Sequence, residues 1–231
     1  DAIPYGWGTY SSRSAALGSA AAVVASNKVI NKARLTAAHL LEAAEADLEF
    51  KAGAFRVTGT DRTIALKDVV RASFDPRKQA PGLEIGLFET GVFHPHPPTP
   101  TFPNGCQVCE VEIDPDTGVT EILRYCVVDD VGTVINKLTL EGQIHGGIGQ
   151  GVGQAFSEAI IYDEQGQLLS GSFLDYGMPR ADDMCSFECE NNPVPTKKNP
   201  LGVKGAGEAG NVGALACIMN AVVDALAPLG I

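Results

Sequence analysis

The chain reads as an α+β protein in which long glycine- and alanine-rich helices pack with antiparallel hairpins. Three features of its 231 residues predict this. An alanine-rich apolar pattern over residues 15–44 and a glycine-rich one over 138–156 have helical length and spacing. Strand-like runs come in pairs around tight turns, most clearly 106–113 and 119–129 on either side of Asp114-Pro115-Asp116-Thr117-Gly118. Helices also alternate with hairpins and not with single strands, which argues against a parallel βαβ layout.

The elements follow in order. After residues 1–8, the hydroxyls Thr9, Ser11, Ser12 and Ser14 precede the helix of 15–44, where Asn27 and Asn31 mark a kink or break. Residues 48–57 alternate around Gly53 as a hairpin, and 64–73 return to helical spacing with Leu66, Val69 and Val70 on one side. A proline-broken loop over 75–83 leads to a strand candidate at 83–92. His94-Pro95-His96-Pro97-Pro98-Thr99-Pro100-Thr101 is extended and polyproline-like, a solvated loop before it is a metal site, and a sub-boundary is placed near 93–104. Beyond the 106–129 hairpin and the 138–156 helix, a small hairpin is expected over 159–162 and 168–172 and a strand over 185–190. A closing helix covers 211–226.

Composition narrows the function. A net charge of −11 opposes binding to nucleic acid and to anionic membrane surfaces. No apolar run of membrane-spanning length is apparent. The first residue is Asp1 and no signal-peptide pattern is visible, so the chain is read as a piece of a longer, cytoplasmic polypeptide. Its six cysteines are expected to be reduced and mostly buried. Cys106 and Cys109 stand three apart on a strand and so face opposite ways, which is poor geometry for a zinc site completed by Cys185 and Cys189.

The most informative stretch is Val203-Lys204-Gly205-Ala206-Gly207-Glu208-Ala209-Gly210. It sets one carboxylate in a glycine-walled turn that runs into an apolar helix, the way a general base is presented to a ligand. Desolvation in such a collar would suit a base working near neutral pH. The spacing Gly205-x-Gly207-x-x-Gly210 also matches a dinucleotide fingerprint, but the context fails: no buried strand precedes it, and the only later acid, Asp224, falls inside the helix. The plainer alternative is a glycine loop with an incidental glutamate.

Two further segments carry chemistry. Gly8-Thr9-Tyr10-Ser11-Ser12-Arg13-Ser14 gathers hydroxyls and a guanidinium where a helix begins, which is either an anion site or a serine cap with an exposed arginine. In 141–154, Gly146, Gly147, Gly149, Gly151 and Gly153 crowd together, an expensive choice for a helix at about 1 kcal/mol each. Either something flat approaches the backbone there, beside the donor and acceptor of Gln150, or two helices pack closely.

Taken in this order, the three segments resemble the molybdenum hydroxylase family (xanthine dehydrogenase, aldehyde oxidase and carbon monoxide dehydrogenase). The resemblance is to the C-terminal part of its large, molybdopterin-binding subunit and covers essentially the whole chain. Phe102-Pro103-Asn104-Gly105-Cys106, Glu112-Ile113-Asp114-Pro115-Asp116-Thr117-Gly118 and the run from Val128 to Asn136 support it. It implies that Glu208 is the catalytic base, that Ser11, Ser12, Arg13 and Ser14 hold cofactor phosphates, and that Gln150, Lys204 and Gly207 lie at the cofactor. The metal would be held through the pterin, in its cytosine dinucleotide form, and not by side chains. The implied chemistry inserts water-derived oxygen into an aldehyde or N-heterocycle, with Glu208 taking the proton from the metal-bound hydroxyl. Iron–sulfur and FAD modules on partner subunits, together with the remainder of the large subunit, complete the assembly. A non-catalytic scaffold piece of such a complex is the alternative. Lys137 stands where the family usually has proline.

Overall fold

The computed structural model describes residues 8–96, 98 and 100–230. Residues 1–7, Pro97 and Thr99 of the stretches discussed above lie outside the described residues. The chain divides into two compact units, Gly18–His94 and a second built from Asp1–Leu17 with Pro95–Ile231.

In the first unit, α1 (Ser19–Leu40) is continuous. Asn27 and Asn31, expected to break it, sit on its exposed side, where asparagine costs only a fraction of a kcal/mol and nothing competes for its backbone. Strands β1 (Leu48–Lys51), β2 (Ala54–Val57) and β3 (Thr63–Ala65) form an antiparallel sheet in sequence order. β3 was absorbed into the expected helix, which is confined to α2 (Leu66–Ser73). Phe55, Val69, Ala33 and Ala37 are fully buried together, because alanine lets α1 approach the sheet closely. No strand forms over 83–92. Gly82 and Gly86 take left-handed φ values of 81° and 83°, and Gly91 lies so close to the α1 backbone that a Cβ would come within 2.3 Å of the Ala21 carbonyl.

The second unit holds a sheet of β4 (Asn104–Ile113), β5 (Thr120–Asp130) and β6 (Phe187–Asn191), with β5 in the middle. β4 and β5 are antiparallel from Asn104↔Asp130 to Ile113↔Thr120, with a bulge at Glu110/Val111. The turn between them is capped by Asp114, whose carboxylate accepts from the Asp116 and Thr117 N–H groups, both at 2.8 Å. β6 pairs with β5 in parallel, so the sheet is not made of hairpins alone. The expected second hairpin reduces to one bridge, Tyr162↔Leu168, because Asp163 and Ser170 side chains take the backbone donors that a ladder would use.

Against this sheet pack α3 (Lys137–Phe156) and α4 (Ala209–Leu226), burying Tyr125, Val127, Ile144, Ile148, Ala214 and Ile218. Asn136 caps α3, its side chain accepting from Thr139 N at 3.2 Å. Lys137 is therefore the first helical residue, a position where a missing N–H is tolerated and proline would fit as well as lysine. One expectation is overturned: Ala209–Leu229 has a mean hydropathy of 1.8 and is long and apolar enough to cross a membrane. Here its Ala209, Gly210, Ala214 and Ile218 face enters the core shared with α3.

Candidate functional site

The site grows from residues 129–134 and 199–210. Asn199, buried, shapes the approach: its Oδ1 accepts from Leu201 N and Val203 N, and its Nδ2 donates to Val203 O. This clamp lets Gly202 adopt a left-handed φ of 68°, and its carbonyl accepts from Thr133 N at 2.9 Å. Lys204 N then donates to Val131 O at 2.8 Å. The Lys204 ammonium donates to Asp130, in an ion pair whose side chains are only 13% and 10% exposed. Asp130 also accepts from Gly132 N and Val194 N, each at 2.9 Å. Burial pushes this carboxyl up, but the Lys204 hydrogen bond and the two N–H donors outweigh it and hold it at about 2.

From that anchor the turn crosses the Ser12 loop. A Cβ on Gly205 would meet Ser12 Cβ at 2.4 Å and Ser12 O at 2.6 Å, so only glycine fits. Glu208 then occupies the N-cap position of α4 without capping it, and its carboxylate turns outward. Ser12 Oγ donates to Glu208 Oε2 at 3.3 Å. The expected desolvated collar is not realised in this chain, because Glu208 is exposed: glycines make the turn bare without covering the side chain.

The Ser12 loop is itself organised. Ser11 and Ser12 take left-handed φ values of 50° and 51°. Arg13 donates to Gly8 O at 2.7 Å and its guanidinium stacks 4.0 Å from the Tyr10 ring centroid. The serine-cap reading fails, since a π-helical turn over Ser14–Gly18 runs into α1 and Gly18 holds its N-cap position. Ser14 instead pairs with Thr9.

Beside the turn lies a cleft of about 250 Å³ lined by Ala15, Thr133, Asn136, Gln143, Lys204 and Ala206 among others. The α3 glutamine nearest the turn is Gln143, whose Oε1 lies 3.9 Å from where a Gly207 Cβ would be. Gln150 is exposed, two turns further along α3, and the contacts of the Glu208 turn do not include it. Helical spacing from Gln150 would have pointed to Gln143, seven residues earlier on the same stripe. Asp130 and Asn199 were also missed, although Asn199-Pro200-Leu201-Gly202 carries an Asx-turn signature.

The α3 glycines serve packing. A Cβ at Gly147 would lie 2.6 Å from Asn211 N, one at Gly151 would lie 2.4 Å from Ala214 Cβ, and one at Gly210 would lie 2.3 Å from Ile144 O. Helices α3 and α4 thus touch backbone to backbone, and the close-packing reading holds. Gly146 alone of the five faces open space.

Residues 1–185 match the family of the molybdopterin cofactor-binding domain. The carbon monoxide dehydrogenase large chain of Afipia carboxidovorans is 41% identical over 98% of this chain and 28% of its own length. Subunit gamma of the 6-hydroxypseudooxynicotine dehydrogenase complex of Paenarthrobacter nicotinovorans is 40% identical over 97% of this chain and 28% of its own. The crystal structure of a Cu,Mo-CO dehydrogenase superposes with a TM-score of 0.88 at 41% identity, over 98% of this chain and 28% of that one. The chain belongs to the molybdopterin cofactor-binding domain family.

This member spans 28% of the length of the curated relatives just described, and Glu208 lies beyond the part matched by the family model but within the part shared with them. Its residues fit such a cofactor: a cleft with few charged groups meets a turn whose Gly205 and Gly207 carry no side chains, next to a loop of hydroxyls. Among the described residues, no three His, Cys, Asp or Glu side chains gather as a direct metal site requires. The six cysteines are free, but they are not mostly buried as expected: Cys106 is exposed and the other five are half-buried, because the sheet and helix faces at which they lie are only partly covered. Burial is still the largest cause of the rise that takes the Cys109 thiol to about 12 and Cys189 to about 11.

Proposed function

We propose that this chain forms the cofactor-facing part of a molybdenum hydroxylase large subunit. In this reading it helps to hold molybdopterin as the cytosine dinucleotide and presents Glu208 as a general base. The single observation that carries the reading is the hydrogen bond from Ser12 to Glu208. It joins the loop read as the anion site to the residue read as the base, although they lie 196 positions apart.

The bound cofactor would supply two-electron redox chemistry. The chain's own residues would do the rest. Ser11, Ser12, Arg13 and Ser14 offer hydroxyls and backbone N–H groups to the phosphates, and Arg13 also keeps the loop shaped through Gly8 and Tyr10. Lys204 lines the cleft with its charge balanced by Asp130, so it contributes shape and a local dipole more than a free cation. Gly207 keeps the wall bare, and Gln150 and Gln143 offer amides along one stripe of α3. Glu208 accepts a proton at its carboxylate while Ser12 orients it, and that geometry serves oxidation of an aldehyde or N-heterocycle with oxygen from water.

Electrons must then leave. Iron–sulfur and FAD modules on partner subunits would accept them in the cytoplasm. The test is metal analysis and turnover of the complete subunit in its native complex, with an artificial electron acceptor. Molybdenum with turnover supports the enzyme, and molybdenum without turnover on any aldehyde or N-heterocycle favours a scaffold. The isolated 231-residue chain is expected to be colourless; visible iron–sulfur or flavin absorbance in it would contradict the reading.

A further inference from the structure

We propose that Gln107 is the positioning residue for the Glu208 turn, a role that rests on reading Glu208 as the base. Gln107 lies on the inward-facing side of β4. Its Nε2 donates to two successive carbonyls of the first turn of α4, Ala209 O at 3.2 Å and Gly210 O at 3.1 Å. Its Oε1 accepts from the hydroxyl of Tyr125, a side chain with no exposed surface. The two carbonyls settle which way round the amide sits. A carbonyl can only accept, so Nε2 must face α4, which leaves Oε1 to the Tyr125 hydroxyl.

The slot for this amide is built into the helix. Gly213 stands one turn into α4, and a Cβ there would come within 3.0 Å of Gln107 Cδ. A glycine inside a helix costs about 1 kcal/mol against alanine, so its presence at the contact is explained by the amide it admits. The two carbonyls follow Glu208 directly in sequence. Holding them to the sheet holds the residue before them, whose own side chain does not cap the helix. On the other side, Gly210 is pressed against the Ile144 carbonyl of α3. The start of α4 is therefore gripped between β4 and α3, and Glu208 projects from the gripped end.

Two variants of the complete subunit in its complex test this. Gln107→Leu removes the donors and the acceptor, and Tyr125→Phe removes only the hydroxyl that holds the amide oxygen while keeping the ring packed 5.5 Å from Phe187. Gln107→Leu should lower kcat by about 10- to 100-fold, the scale of a misplacement of roughly 1 Å, with KM within about twofold. In a Glu208→Gln background the same change should lower kcat no further, because a positioning residue acts only through the group it positions. Amide hydrogen exchange at residues 212–214, the first N–H groups bonded within α4, should speed up by at least about tenfold in both variants, while exchange at 218–226 stays unchanged.

Unchanged exchange at 212–214 in Tyr125→Phe and Gln107→Leu would overturn the proposal, as would an undiminished kcat or an additive loss in the double variant. If Glu208→Gln alone keeps full activity, the reading of Glu208 as base falls instead, and the exchange result still decides whether Gln107 grips the turn.

Discussion

Ser12 Oγ donates to Glu208 Oε2 at 3.3 Å, joining a loop near the start of the described chain to the N-cap of its last long helix. The contact depends on two bare positions. Gly205 lets the Ser12 backbone lie against the turn, and Gly207 leaves the Ser12 hydroxyl at 3.1 Å from where a Cβ would stand. Ser12 reaches Glu208 from a left-handed backbone, a conformation that costs a serine of order 1 kcal/mol and survives only where its surroundings hold it.

Glu208→Gln in the complete subunit should cut turnover by about 10²–10⁴-fold with molybdenum and pterin content unchanged. The amide keeps the shape and can still meet the Ser12 hydroxyl, but it cannot accept a proton. Steady-state kinetics with parallel metal analysis measures both arms. Activity within about tenfold of the parent would remove Glu208 from the role.

Arg13→Ala, Gln150→Ala and Gln143→Ala should each lower cofactor occupancy more than thermal stability. Arg13 shapes the Ser12 loop from within, so its loss should act most strongly. Gln143 should outweigh Gln150, because it lies against the Glu208 turn. Occupancy unchanged in all three variants would reduce these residues to loop shape and helix surface.

The neighbouring glycines Gly146 and Gly147 should respond in opposite directions to alanine. Gly147→Ala should destabilise by about 1–3 kcal/mol through overpacking against the α4 backbone. Gly146→Ala meets nothing within 4 Å and should stabilise by about 0.5–1 kcal/mol. Thermal denaturation distinguishes them, and equal effects would mean that α3 and α4 do not touch as described.

Asp129 and Asp130 are adjacent acids with opposite environments. Asp130 is held down at about 2 against an ordinary value of 3.8, so its contribution to stability is full above about 3.8 and lost as pH falls toward 2. Lys204→Met should cost about 3–5 kcal/mol at neutral pH by stranding that carboxylate. Asp129 is pushed up by burial, and among the described residues its Oδ2 has no hydrogen-bond partner; nor has Oδ1 of Asn191, its register neighbour on β6. Its ionisation therefore works against the fold as pH rises above 3.8. Asp129→Asn should raise stability at neutral pH by about 1–3 kcal/mol, the cost of an unsatisfied buried group. Denaturation midpoints measured from pH 2 to 8 would show both effects, and a fall in stability for Asp129→Asn at pH 7 would refute the second.

The sequence alone determined the α+β class, helices α3 and α4, the β4–β5 hairpin and the glutamate on its glycine turn. Each of these is written locally. Apolar spacing, an Asp-Pro-Asp-Thr-Gly reversal and a glycine run act over a few residues, so a linear reading recovers them. Only the tertiary structure decided that β6 lies parallel to β5, that Lys204 is bound to Asp130, that Gln143 and not Gln150 meets the turn, and that Gln107 grips the start of α4. It also decided that Gly147 and Gly151 admit a helix, since a glycine states only that space is needed and not what fills it. These choices rest on side chains tens to over a hundred residues apart, whose meeting depends on how the elements pack and leaves no periodic trace in the chain.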